Sequence, residues 1–259
     1  MNVTIIGTGN VAQVLGRVIT EAGHQISQVV GRNTEQAQTL SERLQAPGSG
    51  NISQLKPGAD MYIIAVTDFA LEQIEEWMPF IEGGIAVHTA GSVSMAVLKN
   101  IARNYGVLYP LQSLQSRRNE APVIPVLVDG NSETTVQIIQ KFASTFSKLV
   151  SFADDEQRTK IHLAAVILNN FNNYLAVLTQ DYCNKEKIDF HLLQPLLSET
   201  VNRLAYHTAE QMQTGPARRN DTETMTKHIA VLKNYPALQH LYIEFSNSIT
   251  RFYHVVTPP

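Results

Sequence analysis

Short apolar runs alternate with amphipathic stretches through the first 152 residues of the chain. The runs are rich in β-branched residues, which favours strands, and the stretches between them repeat apolar residues at helical spacing. Strands separated by helices are typical of a parallel sheet with helices on both faces. The predicted strands cover Val3–Ile6, Ile26–Val30, Met61–Val66, Ile85–His88, Val107–Tyr109, Val123–Val128 and Lys148–Phe152, with a faint short strand near Pro47–Asn51.

The predicted helices of this half are Val11–Ala22, Glu35–Leu44, Ala70–Met78, Ser94–Asn104 and Glu133–Phe146. Pro125 interrupts the strand predicted at 123–128, so we expect that strand to lie toward the sheet edge or to be irregular. From Asp154 onward the strand pattern stops and only helical spacing remains. The sequence therefore predicts an α/β domain with a mainly parallel sheet at residues 1–152, followed by an all-α domain at residues 153–259.

A glycine-rich turn, GTGNVA at residues 7–12, joins the first strand to the first helix. It has the G-x-G-x-x-A pattern, in which the first glycine allows a sharp turn and the second lets backbone approach a pyrophosphate. The N-terminus of the helix supplies free N–H groups and a partial positive charge. The pattern predicts a Rossmann-type, doubly wound domain that binds a dinucleotide. The predicted contacts are Gly7, Thr8, Gly9, Asn10 and Val11.

The end of the second strand indicates which dinucleotide is preferred. NAD-specific sites usually carry an acid here to bond the ribose hydroxyls, but this chain has Gly31 followed by Arg32. A guanidinium can clamp a 2′-phosphate, whereas an acid would repel it. We therefore predict NADP as the cofactor, with Arg32 and Asn33 among its contacts. Alternatively, Arg32 is a solvated loop charge, and Asn33 or the next residue, Thr34, caps the following helix.

Small and polar residues follow two later strands, at the edge where ligands bind in such sheets. Ala65, Val66 and Thr67 should border the cofactor. Asp68 is either catalytic or, as we expect, the N-cap of the next helix. Ser92 either contacts the substrate or caps a helix.

A polar stretch on the long helix after Asp154 needs an explanation, because asparagine is disfavoured inside helices. His162, Asn169 and Asn173 are spaced i, i+7 and i+11 on one face, beside an apolar stripe. They line either a polar cleft facing the nicotinamide or a polar network between helices or subunits. Farther along, the loop at 214–221 carries Arg219, which either binds an anionic group or meets solvent.

Composition excludes several classes of partner. The chain has 259 residues, 44% hydrophobic and 17% charged, with a net charge of −3 and no long run of one sign. This argues against nucleic-acid or membrane-surface binding. We expect no membrane span and, since no leader-like segment precedes the first strand, a cytoplasmic protein. The single cysteine, Cys183, cannot form an internal disulfide, and we assign no metal site.

Several segments together resemble a known family, the provisionally assigned NADP oxidoreductases in which a Rossmann domain precedes an uncharacterised helical domain. The N-terminal half is also similar to deazaflavin-dependent NADP reductases and pyrroline-5-carboxylate reductases. The helical half is similar in kind to the C-terminal domain of 6-phosphogluconate dehydrogenases. The resemblance implies NADP as cofactor and a homodimer. The segments are GTGNVA, GRN at 31–33, IIAVTD at 63–68, VHTAGS at 87–92, YPLQS at 109–113, LNNFNNYL at 168–175 and TGPARRND at 214–221.

One departure from related dehydrogenases limits the reaction that can be predicted. Those enzymes use a lysine four residues before an asparagine on the long helix, but here Ala165 precedes Asn169. We expect an NADP-dependent oxidoreductase acting on an unidentified small molecule, with Asn169 orienting the substrate. His162, Ser92 and Arg219 are the further catalytic candidates. The alternatives are a non-catalytic sensor of NADP redox state and a reductase of imines or of a deazaflavin.

Overall fold

The computed structural model describes residues 1–116 and 122–254. The chain divides into two compact units, Met1–Val166 and Ile167–Pro259. The boundary predicted at 152/153 coincides with the end of the last strand, whereas the division between the units lies farther along, inside the long helix.

Among the described residues of the first unit, eight strands form one sheet in the order β3-β2-β1-β4-β5-β6-β7-β8. Strands β1 to β6 are parallel, β7 is antiparallel to β6, and β8 is parallel to β7. The order reverses beside β1, as in doubly wound sheets. This confirms the predicted Rossmann-type, mainly parallel α/β sheet. The strands are β1 (Asn2–Ile6), β2 (Gln25–Val30), β3 (Gly48–Ser49), β4 (Met61–Ile64), β5 (Ile81–His88), β6 (Ala102–Pro110), β7 (Val126–Gly130) and β8 (Val150–Phe152).

Apolar side chains bury both faces of this sheet, because neighbouring residues of a strand point to opposite sides. Ile5 and Ile63 belong to one buried cluster, with Leu15 of the first helix, and Ile6 and Ile64 belong to the other. The helices of this unit are α1 (Asn10–Glu21), α2 (Thr34–Arg43), α3 (Asp68–Glu72), α4 (Ile74–Trp77), α5 (Glu133–Ala143) and α6 (Asp155–Ala165), with 3-10 turns at Ile52–Gln54 and Met95–Leu98.

Three predicted elements of the sheet domain differ in the structure. The helix predicted at Ala70–Met78 is divided into α3 and α4. The helix predicted at Ser94–Asn104 is wrong, since only the 3-10 turn Met95–Leu98 forms and β6 begins at Ala102. Arg103 and Asn104, near the start of β6, are exposed, so this part of the sequence lacks the apolar alternation of a half-buried strand. The strand predicted at 123–128 instead begins at Val126, directly after Pro125, and lies next to the edge strand.

The second unit is helical, as predicted. Helix α6 continues through a π-helical segment, Val166–Phe171, into α7. Residues 190–212 form a 3-10 turn, Phe190–Leu193, followed by two α-helices. The helices are α7 (Asn172–Lys185), α8 (Gln194–Arg203), α9 (Ala209–Met212), α10 (Pro216–Arg219), α11 (Thr222–Val231) and α12 (Pro236–His254), with a 3-10 turn at Leu232–Asn234.

The continuous helix Asp155–Lys185 is long and apolar enough to cross a membrane by length and composition, with a mean hydropathy of 1.2 in its most apolar window. The prediction that no segment meets these two criteria is therefore wrong for this helix. Length and composition alone are weak evidence for a span, since core helices of water-soluble proteins also satisfy them. No part of that window is buried within the structure, so its apolar side chains lack cover in the single chain.

Candidate functional site

The turn between β1 and α1 contains two glycines with different structural roles. Gly7 has φ of +121°, and a Cβ there would lie 2.1 Å from the carbonyl oxygen of Ala65, so the fold itself requires glycine. Gly9 is the N-cap of α1 in ordinary extended backbone, and a Cβ there would meet no atom of the described residues within 4 Å. Space is therefore left open at the N-terminus of the helix, where the motif predicts a pyrophosphate.

The other predicted residues of this turn have side chains bound within the protein. The Thr8 hydroxyl donates to Oε1 of Gln36 at 3.0 Å. Oδ1 of Asn10 accepts from the Ser116 hydroxyl at 2.9 Å. Val11 packs against the buried cluster of the sheet. These residues therefore have their backbone N–H groups, rather than their side chains, to offer a ligand.

The end of β2 explains why an acid is absent there. A Cβ on Gly31 would lie 2.4 Å from the Thr8 methyl carbon, so a carboxylate side chain does not fit without displacing Thr8. Oδ1 of Asn33 accepts from the backbone of Gln36 at 3.0 Å and caps α2, which confirms one of the two predicted caps. Arg32 is exposed and makes no hydrogen bond or ion pair within the described part of the chain. Its guanidinium is therefore available to an anionic ligand.

The residues that follow β4 lie beside the glycine turn. The Ala65 N–H donates to the carbonyl of Ile6 at 2.7 Å, which continues the β1–β4 pairing one residue past the strand. Val66 is partly buried and packs on the core. Thr67 caps α3, its hydroxyl accepting from the Ala70 N–H at 3.4 Å. The prediction that Asp68 is this cap is therefore wrong.

Asp68 instead bonds to a predicted site residue. The Ser92 hydroxyl donates to Oδ2 of Asp68 at 3.1 Å, and both side chains are exposed. The alternative that Ser92 caps a helix is also excluded, because Ser94 caps the short turn that follows. A hydroxyl and a carboxylate that are hydrogen-bonded to each other are therefore exposed at the carboxyl ends of β4 and β5, where they can contact a ligand.

A second polar pair lies one strand farther along the sheet. The hydroxyl of Tyr109 and Nδ1 of His162 are 2.8 Å apart, and the two rings meet edge to face. Both press against the backbone at Gly91, where a Cβ would lie 2.5 Å from Nδ1 of His162 and 3.0 Å from Cζ of Tyr109. Sequence reasoning found His162 but missed Tyr109. The signal was its position at the carboxyl end of a strand parallel to β4 and β5.

Burial dominates the titration of Tyr109. Loss of solvent raises the pKa of its phenol, the Asp68 carboxylate raises it further, and the Arg158 guanidinium opposes them. The phenol is therefore held in its protonated form at neutral pH.

A buried ionic cluster, Asp155 with Arg158, holds the start of the long helix against the segment that follows β5. Arg158 is fully buried and its Nη2 donates to the Val93 carbonyl and to Oδ1 of Asp155, each at 2.6 Å. Asp155 also accepts from the Met95 N–H at 3.1 Å and from the Ser94 hydroxyl. Within the described residues, Nε and Nη1 of Arg158 have no hydrogen-bond partner.

Sequence reasoning missed this cluster. Asp155, Arg158 and His162 have spacing i, i+3 and i+7, which places them on one face of the helix. Burial alone would raise the pKa of Asp155, but hydrogen bonds from Ser94, Arg158 and Met95 outweigh it and hold that pKa below its usual value.

His88, at the end of β5, has a structural environment. Its ring is fully buried, and Nδ1 accepts from the Ala90 N–H at 3.2 Å. Burial, aided by the nearby Arg158 cation, lowers the pKa of His88 to about 3. The Asp155 carboxylate and the backbone of Ser94 act in the opposite direction, and Nε2 has no partner at hydrogen-bond geometry among the described residues. The ring is therefore neutral across the physiological pH range.

Two predicted site residues belong to the second unit. Asn169 lies within the π-helical segment, is exposed, and makes no side-chain hydrogen bond within the described residues. One-turn π segments occur frequently at functional sites, and the extra residue disturbs the predicted α-helical spacing. Arg219 ends α10 and is exposed. The pKa of Asp221 is lowered mainly by two hydrogen bonds from Thr224, and the nearby charge of Arg219 lowers it further. No hydrogen bond or ion pair joins Asn169 to Arg219 in the described chain.

Comparisons with known proteins agree with this architecture. A family model described as NADP oxidoreductase, coenzyme F420-dependent, matches residues 2–79, and a domain of unknown function, DUF2520, matches residues 124–249. A provisionally assigned NADP oxidoreductase of Bacteroides fragilis is 33% identical with a TM-score of 0.88, covering 96% of this chain and 98% of that one. This chain belongs to that family. No curated protein sequence matches it significantly.

More distant solved structures share the fold of this family. Pyrroline-5-carboxylate reductase of Streptococcus pyogenes is 14% identical with a TM-score of 0.60, covering 96% of this chain and 98% of that one. A reductive aminase of Aspergillus terreus, solved with NADPH and ethyl levulinate, is 17% identical with a TM-score of 0.70, covering 96% and 92%. At these identities the likeness shows the fold alone.

Proposed function

We propose that this protein is an NADP(H)-dependent oxidoreductase that reduces a C=O or C=N bond of a small molecule. The observation that carries the proposal is the contrast within the β1–α1 turn. Gly7 is glycine because of the fold, while Gly9 leaves a space that no atom of residues 1–116 or 122–254 occupies. A helix N-terminus facing that space has the free N–H groups and the partial charge that bind phosphate. The site therefore fits a dinucleotide diphosphate.

The preference for NADP(H) over NAD(H) rests on the end of β2. Gly31 has no room for the ribose-binding acid, and Arg32 has no protein partner in the described chain. A solvated guanidinium does not have to break an ion pair or hydrogen bond with the protein before it binds a 2′-phosphate. The family name and the NADPH bound to the Aspergillus terreus enzyme are consistent with this choice.

The substrate-facing groups that we propose in the first unit are Ser92 and His162. When bound, NADPH supplies a hydride to an electrophilic carbon, and the protein orients the substrate and moves the proton. Ser92, with Asp68, offers a hydroxyl and a carboxylate at the edge of the sheet. Asn169 and Arg219, of the second unit, remain proposed as orienting and anion-binding groups.

A second candidate reaction, imine reduction, is favoured by one observation. The Asp68 carboxylate beside Ser92 is suited to a cationic iminium carbon–nitrogen bond, and position 165 carries alanine where a related dehydrogenase has its lysine acid. A deazaflavin acceptor is a further possibility, given the family description. Incubation with NADPH and methylpyrroline, cyclohexanone or coenzyme F420 distinguishes these reactions. Binding of NADPH without its oxidation by any acceptor would instead favour a redox sensor.

Isothermal titration calorimetry of NADPH against the Gly9→Ala variant tests the cofactor site. The backbone at Gly9 suits any residue and a Cβ there meets no atom of the part of the chain that the structure describes, so the N-cap change costs at most about 1 kcal/mol of stability. The added methyl group would occupy the space proposed for the diphosphate. We expect NADPH affinity to fall at least tenfold, through loss of a charge-assisted hydrogen bond of about 1.5–3 kcal/mol.

The matched control is Gly83→Ala, since Gly83 also has open space around its Cβ position and lies near the start of β5. This variant should bind NADPH normally. Unchanged affinity in Gly9→Ala, or no NADPH binding by the wild-type protein, would reject the proposed cofactor site.

We also propose that the protein is a homodimer in which a second copy covers the apolar surface of the helical unit. The largest exposed fractions there are 85% for Tyr206, 73% for Leu168 and 71% for Leu192. Monomeric proteins rarely expose so many large apolar side chains. The family resemblance favours a second copy as the partner.

Size-exclusion chromatography with light scattering tests this proposal. Leu192→Glu with Leu196→Glu should convert dimer to monomer, because each places a charge in the proposed interface. Leu149→Glu, which changes a leucine of the sheet unit that is 54% exposed, should leave the dimer intact. A wild-type monomer, or a monomer that associates with phospholipid vesicles, would contradict a homodimer.

A further inference from the structure

The hydrogen-bonded pair of Tyr109 and His162 has the arrangement of a proton donor and its relay. We propose that Tyr109 donates the proton that completes the reduction, and that His162 returns a proton to it. This inference rests on the proposed oxidoreductase function and assigns a group to the one step for which the expected lysine is missing. The 2.8 Å separation allows direct transfer between the phenolic oxygen and Nδ1.

The position of the pair in the sheet supports this role. Tyr109 lies next to the last residue of β6, at the same edge as the ends of β4 and β5. Gly91, against which both rings press, is next to Ser92 and its partner Asp68. The phenol therefore stands beside the other polar groups at the carboxyl edge of the parallel strands, where α/β sheets bind ligands.

The protonation state of the pair suits an acid rather than a base. The charged groups that act on Tyr109 are Asp68 and Arg158, and burial together with Asp68 raises its pKa. The ring of His162 is partly exposed, and its Nε2 has no hydrogen-bond partner in the described chain. Nδ1 can thus serve Tyr109 while the partly exposed ring stays within reach of solvent.

The buried ionic cluster keeps this geometry rigid. Arg158 lies one turn before His162, and its bond to the Val93 carbonyl ties the helix to the same segment that contains Gly91. Catalytic groups require a scaffold that holds them within a fraction of an ångström. Two elements distant in sequence, β6 and α6, are therefore fixed relative to each other at the pair.

In the proposed step, a hydride and a proton reach the two ends of the same substrate double bond. As a hydride reaches the substrate carbon, the π electrons of the C=O or C=N bond move to its heteroatom. The O–H bond of Tyr109 breaks, and its proton passes to that heteroatom. The phenolate then takes the Nδ1 proton of a protonated His162, leaving the ring neutral. Nε2 keeps its proton throughout. Once the product has left, solvent returns a proton to Nδ1, so one proton from solvent is consumed for each hydride transferred.

Turnover with NADPH and three probe acceptors, cyclohexanone, benzaldehyde and methylpyrroline, tests the donor. Tyr109→Phe keeps the ring and removes the hydroxyl, so kcat should fall at least about 100-fold while the Kd for NADPH stays the same. Tyr105→Phe is the matched control, since this tyrosine lies on the same face of β6 and its hydroxyl makes no hydrogen bond in the described chain.

The pH profile tests the relay. Because a protonated His162 ring supplies the proton, kcat of the wild-type protein should fall with rising pH as that ring loses its proton. His162→Gln should lower kcat and remove this limb from the profile. A purely structural role would lower kcat or stability without changing the shape of the profile.

Nuclear magnetic resonance of ¹⁵N-histidine-labelled protein gives a readout without turnover. Tyr109→Phe should shift the Nδ1 resonance of His162, whereas Tyr105→Phe should not. An unmoved resonance, or full turnover in Tyr109→Phe, would overturn the proton-donor inference alone. Wild-type protein that binds NADPH but reduces none of the probes would overturn the proposed reaction, and this inference with it.

Discussion

The guanidinium of Arg158 donates to the carbonyl oxygen of Val93 at 2.6 Å, across 65 residues of sequence. The bond joins the first turn of the long helix to the segment after β5. Because Arg158 is fully buried, its charge depends on Asp155 and on that carbonyl for compensation. The polar edge of the sheet is therefore organised by an ion pair that lies beneath it.

Arg158→Met should destabilise the protein by about 3 kcal/mol, the lower range for breaking a buried pair, since Asp155 retains some solvent contact. For a domain of this size, the corresponding fall in Tm is roughly 6–12 °C. Differential scanning calorimetry measures it. Arg103→Met, at an exposed position of β6, should melt like the wild-type protein, and equal melting of both variants would show that the ion pair is unimportant.

Gly7→Ala should prevent stable folding of the sheet unit. Its positive φ disfavours any side chain, and the new Cβ would lie 2.1 Å from the Ala65 carbonyl oxygen, a backbone atom that cannot move without breaking the β1–β4 pairing. Circular dichroism and the yield of soluble protein measure the loss. Gly83→Ala is the control, and a Gly7→Ala protein with native melting would contradict the geometry of the turn.

Arg32→Ala should weaken NADPH binding tenfold to a hundredfold, which corresponds to about 1.5–3 kcal/mol for a charge-assisted contact to the 2′-phosphate. NADH, which lacks that phosphate, should bind both proteins alike. Calorimetric titration of each dinucleotide measures the difference. Arg103→Ala controls for the change in net charge, and an equal loss of NADPH and NADH affinity in Arg32→Ala would exclude the phosphate clamp.

The parts of the site that are local in sequence could be predicted. The spacing of Gly7 and Gly9 after a strand was sufficient to indicate a dinucleotide turn, and the order of strands and helices indicated a mainly parallel sheet. The same local rules assigned one helix cap to the wrong residue. Thr67, and not Asp68, caps α3, because the helix begins at Asp68 and the cap is the residue before it.

The parts that depend on tertiary contacts could not be predicted. Tyr109 and His162 are 53 residues apart, and their meeting at Gly91 follows from the docking of α6 on β6. The burial of Arg158 could not be predicted, because an arginine on an amphipathic helix is usually exposed. Its burial required the Val93 carbonyl, whose position no sequence pattern indicates.

Acid should destabilise the protein through Asp155 below its ordinary pKa of 3.8. The folded-state pKa is depressed, so the stabilisation is fully present above that value and is lost as pH falls through the folded pKa. Urea denaturation at a series of pH values below 5 should show a flatter dependence for Asp155→Asn than for wild-type protein. Asp154→Asn is the control, because asparagine caps the helix as well as aspartate does. Equal slopes would contradict the assignment.

Mildly acidic pH should also destabilise the protein through His88, in a pH range above the one in which Asp155 acts. The folded ring has a pKa of about 3 and the ordinary value is 6.5, so between these values the unfolded chain binds the extra proton. Stability should therefore fall by about 1.4 kcal/mol for each pH unit below 6.5. His88→Gln removes the titrating group and should flatten the dependence between pH 6 and pH 4 in urea denaturation. His24→Gln changes a partly exposed ring whose pKa is lowered less strongly, so it should remove much less of the slope. If His88→Gln kept the full wild-type slope, another group would have to account for it, and the buried neutral ring would no longer explain the acid sensitivity.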